Sequence, residues 1–117
     1  MSQLLLYISE TELFDPAATQ RAIESIDGVS KARAGDFIGA VFECLYTFGD
    51  RSTVVRLTKK LRTVAIEGLG DEAFDFALKF QKNMPMPLHA IDMEYTFDVV
   101  LTQFNSLDEL LEAVSDD

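Results

Sequence analysis

The stretch Ala40–Phe48, which reads AVFECLYTF, has a clear β-strand pattern. Its side chains alternate between two faces, and one of these faces carries Phe42, Cys44, Tyr46 and Phe48. A period of two is typical of a β-strand whose faces have different surroundings. Residues 49–52 have the composition of a turn, and the β-rich run 53–58 follows directly. The two runs together predict a β-hairpin.

The β-rich pattern continues beyond this hairpin, although two lysines, Lys59 and Lys60, interrupt it. Residues 62–67 resume the alternation, with Val64 and Ile66 on one side. Residues 53–67 therefore form either one long strand with a bulge at the lysines or two strands joined by a turn.

The segment before the hairpin predicts a strand followed by a helix. The apolar run of residues 4–8 indicates a buried first strand, with Leu5 directed inward. Asp15 and Pro16 have the character of an N-cap and a first helical residue, and Gly28 is suited to the helix end. We expect this helix near residues 16–27.

The segment after residue 67 predicts a helix, a strand and a closing helix. Asp71 is a candidate N-cap for a helix over 71–83, which ends before the prolines of residues 84–87. The strand region spans 89–101, with a possible kink near 92–94. Ser106 and Glu109 form a capping-box pattern at the start of a helix over 106–114.

This order predicts a single α+β domain over residues 1–117. We expect a two-layer sandwich, with a four- or five-stranded, mostly antiparallel sheet and helices on one face. The element order resembles a ferredoxin-like arrangement with a C-terminal helix added. The expected core side chains are Leu5, Ile23, Ile26, Phe42, Tyr46, Val64, Ile66, Phe74, Leu78, Phe97, Val99, Leu101 and Leu110.

The charge is unevenly distributed and restricts the possible partners. The net charge is −10, and residues 83–117 contain eight carboxylates but no lysine or arginine. Residues 51–82 carry a net charge of +3. Nucleic acid and anionic membrane are disfavoured as partners, because affinity for phosphate comes largely from Lys and Arg. A basic protein partner is favoured, because surface charge steers encounters between proteins.

Reactive and metal-binding chemistry has few candidate residues. Cys44 and His89 are the only cysteine and histidine, so a closed zinc site made of these residue types is excluded by count. The aromatic neighbours of Cys44 predict a buried, inert thiol, and His89 is expected at the surface or at a sheet edge. We expect no cofactor and no bound metal. The chain lacks an 18-residue apolar stretch and a signal-peptide pattern, and we expect it in the cytoplasm.

The acidic C-terminal third supplies the candidate binding residues. On one continuous strand, Asp92, Glu94 and Asp98 would project from the same face. That face could be solvated, contact a protein partner, or serve metal binding or catalysis. Tyr95 is a candidate interface residue, since Tyr is enriched at binding hot spots. The closing helix adds Asp108, Glu109 and Glu112.

These features predict a small, acidic, non-enzymatic binding protein. The favoured class is an immunity protein or inhibitor of bacterial type that neutralises a basic partner such as a toxin. The alternative is a regulatory α+β domain that binds a small ligand or associates with itself. That ligand would lie near Phe76, Phe80 and the turn at residues 84–86. A carboxylate-based enzyme is the third and weaker possibility.

Overall fold

The computed structural model describes residues 2–37 and 39–115, and within them the chain forms an α+β domain. Seven strands and three α-helices are present in these residues, with one 3-10 turn at Leu101–Gln103. In chain order they are β1 Gln3–Tyr7, α1 Pro16–Glu24, β2 Val29–Phe37, β3 Ala40–Phe48, β4 Arg51–Thr58, β5 Val64–Glu67, α2 Asp71–Lys82, β6 His89–Asp92, β7 Asp98–Val100 and α3 Leu107–Val114.

The described strands form one antiparallel sheet in the order β2-β3-β4-β5-β1-β6-β7. The predicted number of four or five strands was therefore wrong, and a ferredoxin-like order is not confirmed. The predicted hairpin is confirmed, because β3 pairs with β4 along its whole length. Residues 53–67 belong to two strands, and the turn between them contains Leu61 in a left-handed conformation with φ 62°.

Strand β2 was missed because its sequence carries no periodic apolar signal. It forms one edge of the sheet and pairs with β3 only. Every residue between its two ends is exposed, so neither face selects apolar side chains. Gly28 precedes it with φ 98°, and a Cβ there would lie 2.6 Å from the carbonyl oxygen of Thr47. The backbone at Gly28 therefore comes so close to β3 that only glycine fits there.

The core lies between the helices and one face of the sheet. Tyr46 of β3 packs edge-on against Phe76 of α2 at 5.3 Å between ring centroids, and Phe14 packs against Phe80 at 6.2 Å. Most of the predicted core is confirmed as buried, namely Ile23, Ile26, Phe42, Tyr46, Val64, Ile66, Phe74, Leu101 and Leu110. Three others, Leu78, Phe97 and Val99, are partly buried against that core.

The inward direction predicted for Leu5 was wrong. Leu4 and Leu6 are fully buried, whereas Leu5 and Tyr7 lie half-buried on the opposite side of β1. Five consecutive apolar residues contain no alternation, so the run identifies a strand without fixing its phase. We call the side of the sheet opposite the helices the open face. It carries the alternate residues of the central strands, including Leu5, Tyr7, Glu43, Arg56 and Ile91.

The predicted helices are present with small changes at their ends. The Asp15 side chain caps α1 by accepting a 3.0 Å hydrogen bond from the Ala18 N–H, but the helix ends at Glu24 rather than 27. Helix α2 begins at Asp71 as predicted, although its N-cap is Gly70 and not Asp71. Ser106 caps α3 through a 3.2 Å hydrogen bond from the Glu109 N–H.

Candidate partner-binding surface

The strand predicted over residues 89–101 is instead a hairpin, formed by β6 and β7 with a turn at 93–97. Asp92 pairs across from Leu4 and lies buried on the helix-covered side. Asp98 pairs across from Ile91 and belongs to the open face, and Glu94 is exposed in the turn. The expectation that Asp92, Glu94 and Asp98 share one face was therefore wrong, because the turn breaks the period of two.

Asp92 has a local structural role in this hairpin. Its carboxylate accepts a 2.7 Å hydrogen bond from the Thr96 N–H and a second, short one from the Thr96 hydroxyl. Burial acts to raise the pKa of Asp92, but the hydrogen bonds from Thr96 and from neighbouring backbone N–H groups outweigh it and lower that pKa. The carboxylate is thus held ionised inside the fold and is not available to a partner.

The turn presents two large apolar side chains to solvent. Tyr95 is 75% exposed and Met93 is 52% exposed. Tyr95 also has a left-handed backbone, with φ 57°. A bulky residue rarely adopts this conformation unless the surrounding structure fixes it, and such residues are concentrated at functional sites. The prediction of Tyr95 as an interface residue is untested by this geometry, but its ring is accessible.

Asp98 lies beside two aromatic rings on the open face. Its carboxylate oxygens are 3.4 Å from the Tyr7 hydroxyl and 3.7 Å from His89 Nδ1. The Tyr7 and His89 rings stack at 4.9 Å between centroids. Burial and the negative charge of Asp98 raise the pKa of Tyr7. Sequence reasoning missed Tyr7 because it lies within the apolar run 4–8, where no alternation distinguishes the two faces of the strand.

The other predicted carboxylates lie on α3. Asp108, Glu109 and Glu112 are exposed, and the helix packs against α2 through its buried Leu110. Glu109 is partly engaged, since it accepts a 2.9 Å hydrogen bond from the Asn105 N–H. Among the described residues, no hydrogen bond or ion pair connects these acids to the β6–β7 hairpin. The β6–β7 hairpin thus carries Glu94, Tyr95 and Asp98, whereas the α3 acids belong to a separate element.

Ion pairs engage acids of β2, the central strands and α2, whereas residues 83–115 contain no lysine or arginine that could form such pairs. In the described residues, five cations form pairs with carboxylates: Arg33, Arg51, Arg56, Lys59 and Lys79. Their partners are Asp36, Glu43, Glu67, Glu72 and Asp75. Beyond Lys82, the only pair found in residues 83–115 is between His89 and Asp98. Asp116 and Asp117 lie outside the described residues.

The geometry does not assemble a Cys–His pair. Cys44 is buried on the helix-covered side of β3, whereas His89 is on the open face of β6, four positions away in the strand order. Burial raises the pKa of the Cys44 thiol to about 12, which suppresses the reactive thiolate. In residues 2–37 and 39–115, no group of three His, Cys, Asp or Glu side chains is placed to hold a metal ion.

The residues expected around a small ligand are part of the core. Phe76 and Phe80 are fully buried and stack at 5.8 Å. The depression between α2 and the segment before α3 is lined instead by side chains such as Leu78, Lys79 and Phe104. Of the residues expected near a ligand, Met84 lines this depression, whereas Phe76 and Phe80 do not.

Comparison with known proteins gives no relative from which a function could be transferred. No family model matches the chain, and no curated protein and no solved structure matches it significantly. None of the helices in the described part of the chain is long and apolar enough to cross a membrane.

Proposed function

We propose that this domain is a non-enzymatic binding protein that recognises a basic protein through the acidic side chains of its C-terminal third. The observation that carries the proposal is the segregation of charge. Glu94, Asp108 and Glu112 are exposed and, in the described structure, lack a cationic partner, while the acids of the central strands and α2 are largely paired. Uncompensated carboxylates give a negative field that attracts a positively charged surface.

The favoured partner class is a basic toxin, with this domain as its inhibitor or immunity protein. A protein that cleaves nucleic acid needs a positively charged groove, and exposed carboxylates complement such a groove. Tyr95 and Met93 add apolar area next to Glu94, which suits an interface with an aromatic centre and a charged rim. The free, buried Cys44 is compatible with the reducing cytoplasm as the compartment.

Affinity capture with matched charge variants tests this proposal. The test variant is Glu94→Lys with Glu112→Lys, because Glu109 contributes to the N-terminal cap of α3 and its loss would affect stability. The control is Glu24→Lys with Asp27→Lys, which changes the net charge by the same amount. Both sites are exposed, Glu24 at the end of α1 and Asp27 after it. Each tagged variant is incubated with a lysate at about 50 mM salt, where exposed charges are weakly screened.

We expect the wild type and the control to retain the same basic protein and the test variant to lose it. The expectation holds only if all three proteins have similar free energies of unfolding, since exposed substitutions change stability by about 0.5 kcal/mol or less. Equal capture by all three variants would show that the acids of the β6–β7 hairpin and α3 do not bind the partner.

A further inference from the structure

We propose that the open face holds a groove that binds the guanidinium group of an arginine side chain. The groove lies over Leu5 and Ile91, with Tyr7 and Tyr95 among its lining residues. Asp98 stands beside it, with its carboxylate oxygen 3.4 Å from the Tyr7 hydroxyl. The groove thus combines an apolar floor, two phenol rings and a carboxylate within the span of three neighbouring strands.

These groups match the chemistry of arginine. A guanidinium group stacks on aromatic faces and also donates two parallel hydrogen bonds to a carboxylate. Tyr95 offers an exposed ring for stacking. The Asp98 side chain is 59% exposed, and its contacts at 3.4 Å and 3.7 Å are longer than strong hydrogen bonds. Asp98 therefore retains lone pairs for a further donor.

The charges around the groove favour a cation on balance. Arg62 also lines it and adds a positive charge, but its guanidinium donates a 3.1 Å hydrogen bond to the backbone carbonyl of Glu10. The carboxylates of Glu10 and Asp98 both act on Tyr7 electrostatically, so two negative charges oppose the one of Arg62. A second cation at the groove would bring the local charge close to neutral.

Hydrogen bonds within the turn hold the backbone at Tyr95 without any ligand. The hydrogen bonds from Thr96 to the buried Asp92 close the turn around Tyr95, and β7 begins at Asp98. A turn whose backbone is already ordered loses less conformational entropy on binding, which improves affinity without adding a contact. The left-handed backbone of Tyr95 is consistent with strain retained at a binding site.

This inference rests on the proposed function, since the arginine would belong to the basic partner, but a small probe tests it independently. The probe is N-acetyl-arginine amide, and its matched control is N-acetyl-citrulline amide, which has the same shape without the charge. Both are titrated into the 15N-labelled protein and followed by NMR. We expect the arginine compound to shift the resonances of Tyr7, Tyr95 and Ile91, and the citrulline compound to bind at least threefold more weakly.

Variants assign the effect to the groove. Tyr95→Ala and Asp98→Asn should each weaken binding of N-acetyl-arginine amide by about threefold to tenfold. Tyr95→Phe keeps the ring and should retain binding. Glu24→Gln removes the same charge as Asp98→Asn at a distant exposed site and should have no effect.

The results of these titrations decide whether the groove binds arginine. Shifts confined to other surfaces, equal binding of arginine and citrulline compounds, or an equal loss in Asp98→Asn and Glu24→Gln would overturn the inference. The capture experiment with Glu94 and Glu112 does not involve the groove residues. A protein that fails to bind the arginine compound but still captures its partner through those acids would refute the groove and leave the proposed function intact.

Discussion

Asp92 and Thr96 close the turn of the β6–β7 hairpin, because the buried carboxylate accepts hydrogen bonds from both the backbone N–H and the hydroxyl of Thr96. This pair spans the turn and fixes the backbone on both sides of Tyr95, whose side chain is exposed. The hairpin therefore separates two roles between neighbouring acids. Asp92 supports the structure, whereas Glu94 and Asp98 remain at the surface.

Asp92→Asn should destabilise the domain by about 1 to 3 kcal/mol at pH 7, because it removes a charged acceptor from buried hydrogen bonds. The folded-state pKa of Asp92 is lowered. The stabilisation by this group is therefore complete above its unfolded pKa, near 4, and is lost as the pH falls through the lower folded value. Urea unfolding at pH 7 and near pH 2.5 measures both effects.

Glu94→Gln is the control for Asp92→Asn, because it removes an exposed carboxylate in the same turn. It should change the free energy of unfolding by about 0.5 kcal/mol or less. A gap between wild type and Asp92→Asn that stays constant down to low pH would contradict the role assigned to the ionised carboxylate.

Tyr95→Gly should stabilise the domain or leave its stability unchanged, although glycine usually destabilises. The φ of 57° is unfavourable for tyrosine and accessible to glycine. Relief of this strain should offset the greater entropy of glycine in the unfolded chain, giving a gain of about 0 to 1 kcal/mol. Thermal or urea unfolding measures this change in the free energy of unfolding. A loss of more than about 1 kcal/mol would show that the exposed ring stabilises the fold.

Tyr46→Phe should lower the free energy of unfolding by about 1 kcal/mol. The buried Tyr46 hydroxyl donates a short hydrogen bond to Asp75 and accepts a 2.8 Å hydrogen bond from Lys79, which connects β3 to α2. Asp75 and Lys79 still pair with each other at 3.0 Å, which limits the cost. Tyr95→Phe removes an exposed hydroxyl and serves as the control in urea unfolding. Equal effects of both substitutions would refute the structural role of the Tyr46 hydroxyl.

The Cys44 thiol should not react with a thiol reagent in the native protein at pH 8. Its burial and its pKa of about 12 leave almost no accessible thiolate. Reaction with a chromogenic disulfide should proceed only as fast as the protein opens, and should become rapid in urea. Complete labelling within seconds in native buffer would show that β3 is accessible at this position.

The sequence predicted those strands that have one buried face and one exposed face. Phe42 and Tyr46 alternate with half-exposed neighbours, and the caps Asp15 and Ser106 have side chains with a defined local role. Strand β2 gave no signal because it is exposed on both faces. The side of the sheet to which Leu5 points could not be predicted, because the apolar run around it contains no polar residue.

The candidate site was predictable only in its residue types. The β6–β7 turn contains no glycine, proline or asparagine, and it uses Tyr95 in a left-handed conformation that sequence patterns assign to other residues. The acids of residues 92–98 therefore appeared to share a strand face. Tyr7 and His89 are 82 positions apart, so only the pairing of β1 with β6 brings their rings together.

The dependence of the partner's association rate on ionic strength measures whether the acidic C-terminal third takes part in binding. For the wild type we predict a rate that falls about tenfold or more between about 20 mM and 500 mM salt, as steered association does. Glu94→Lys with Glu112→Lys should be slower at low salt and approach the wild type at high salt, whereas Glu24→Lys with Asp27→Lys should follow the wild type throughout. Rates that do not vary with salt and are equal in all three proteins would contradict a binding role for the acidic C-terminal third.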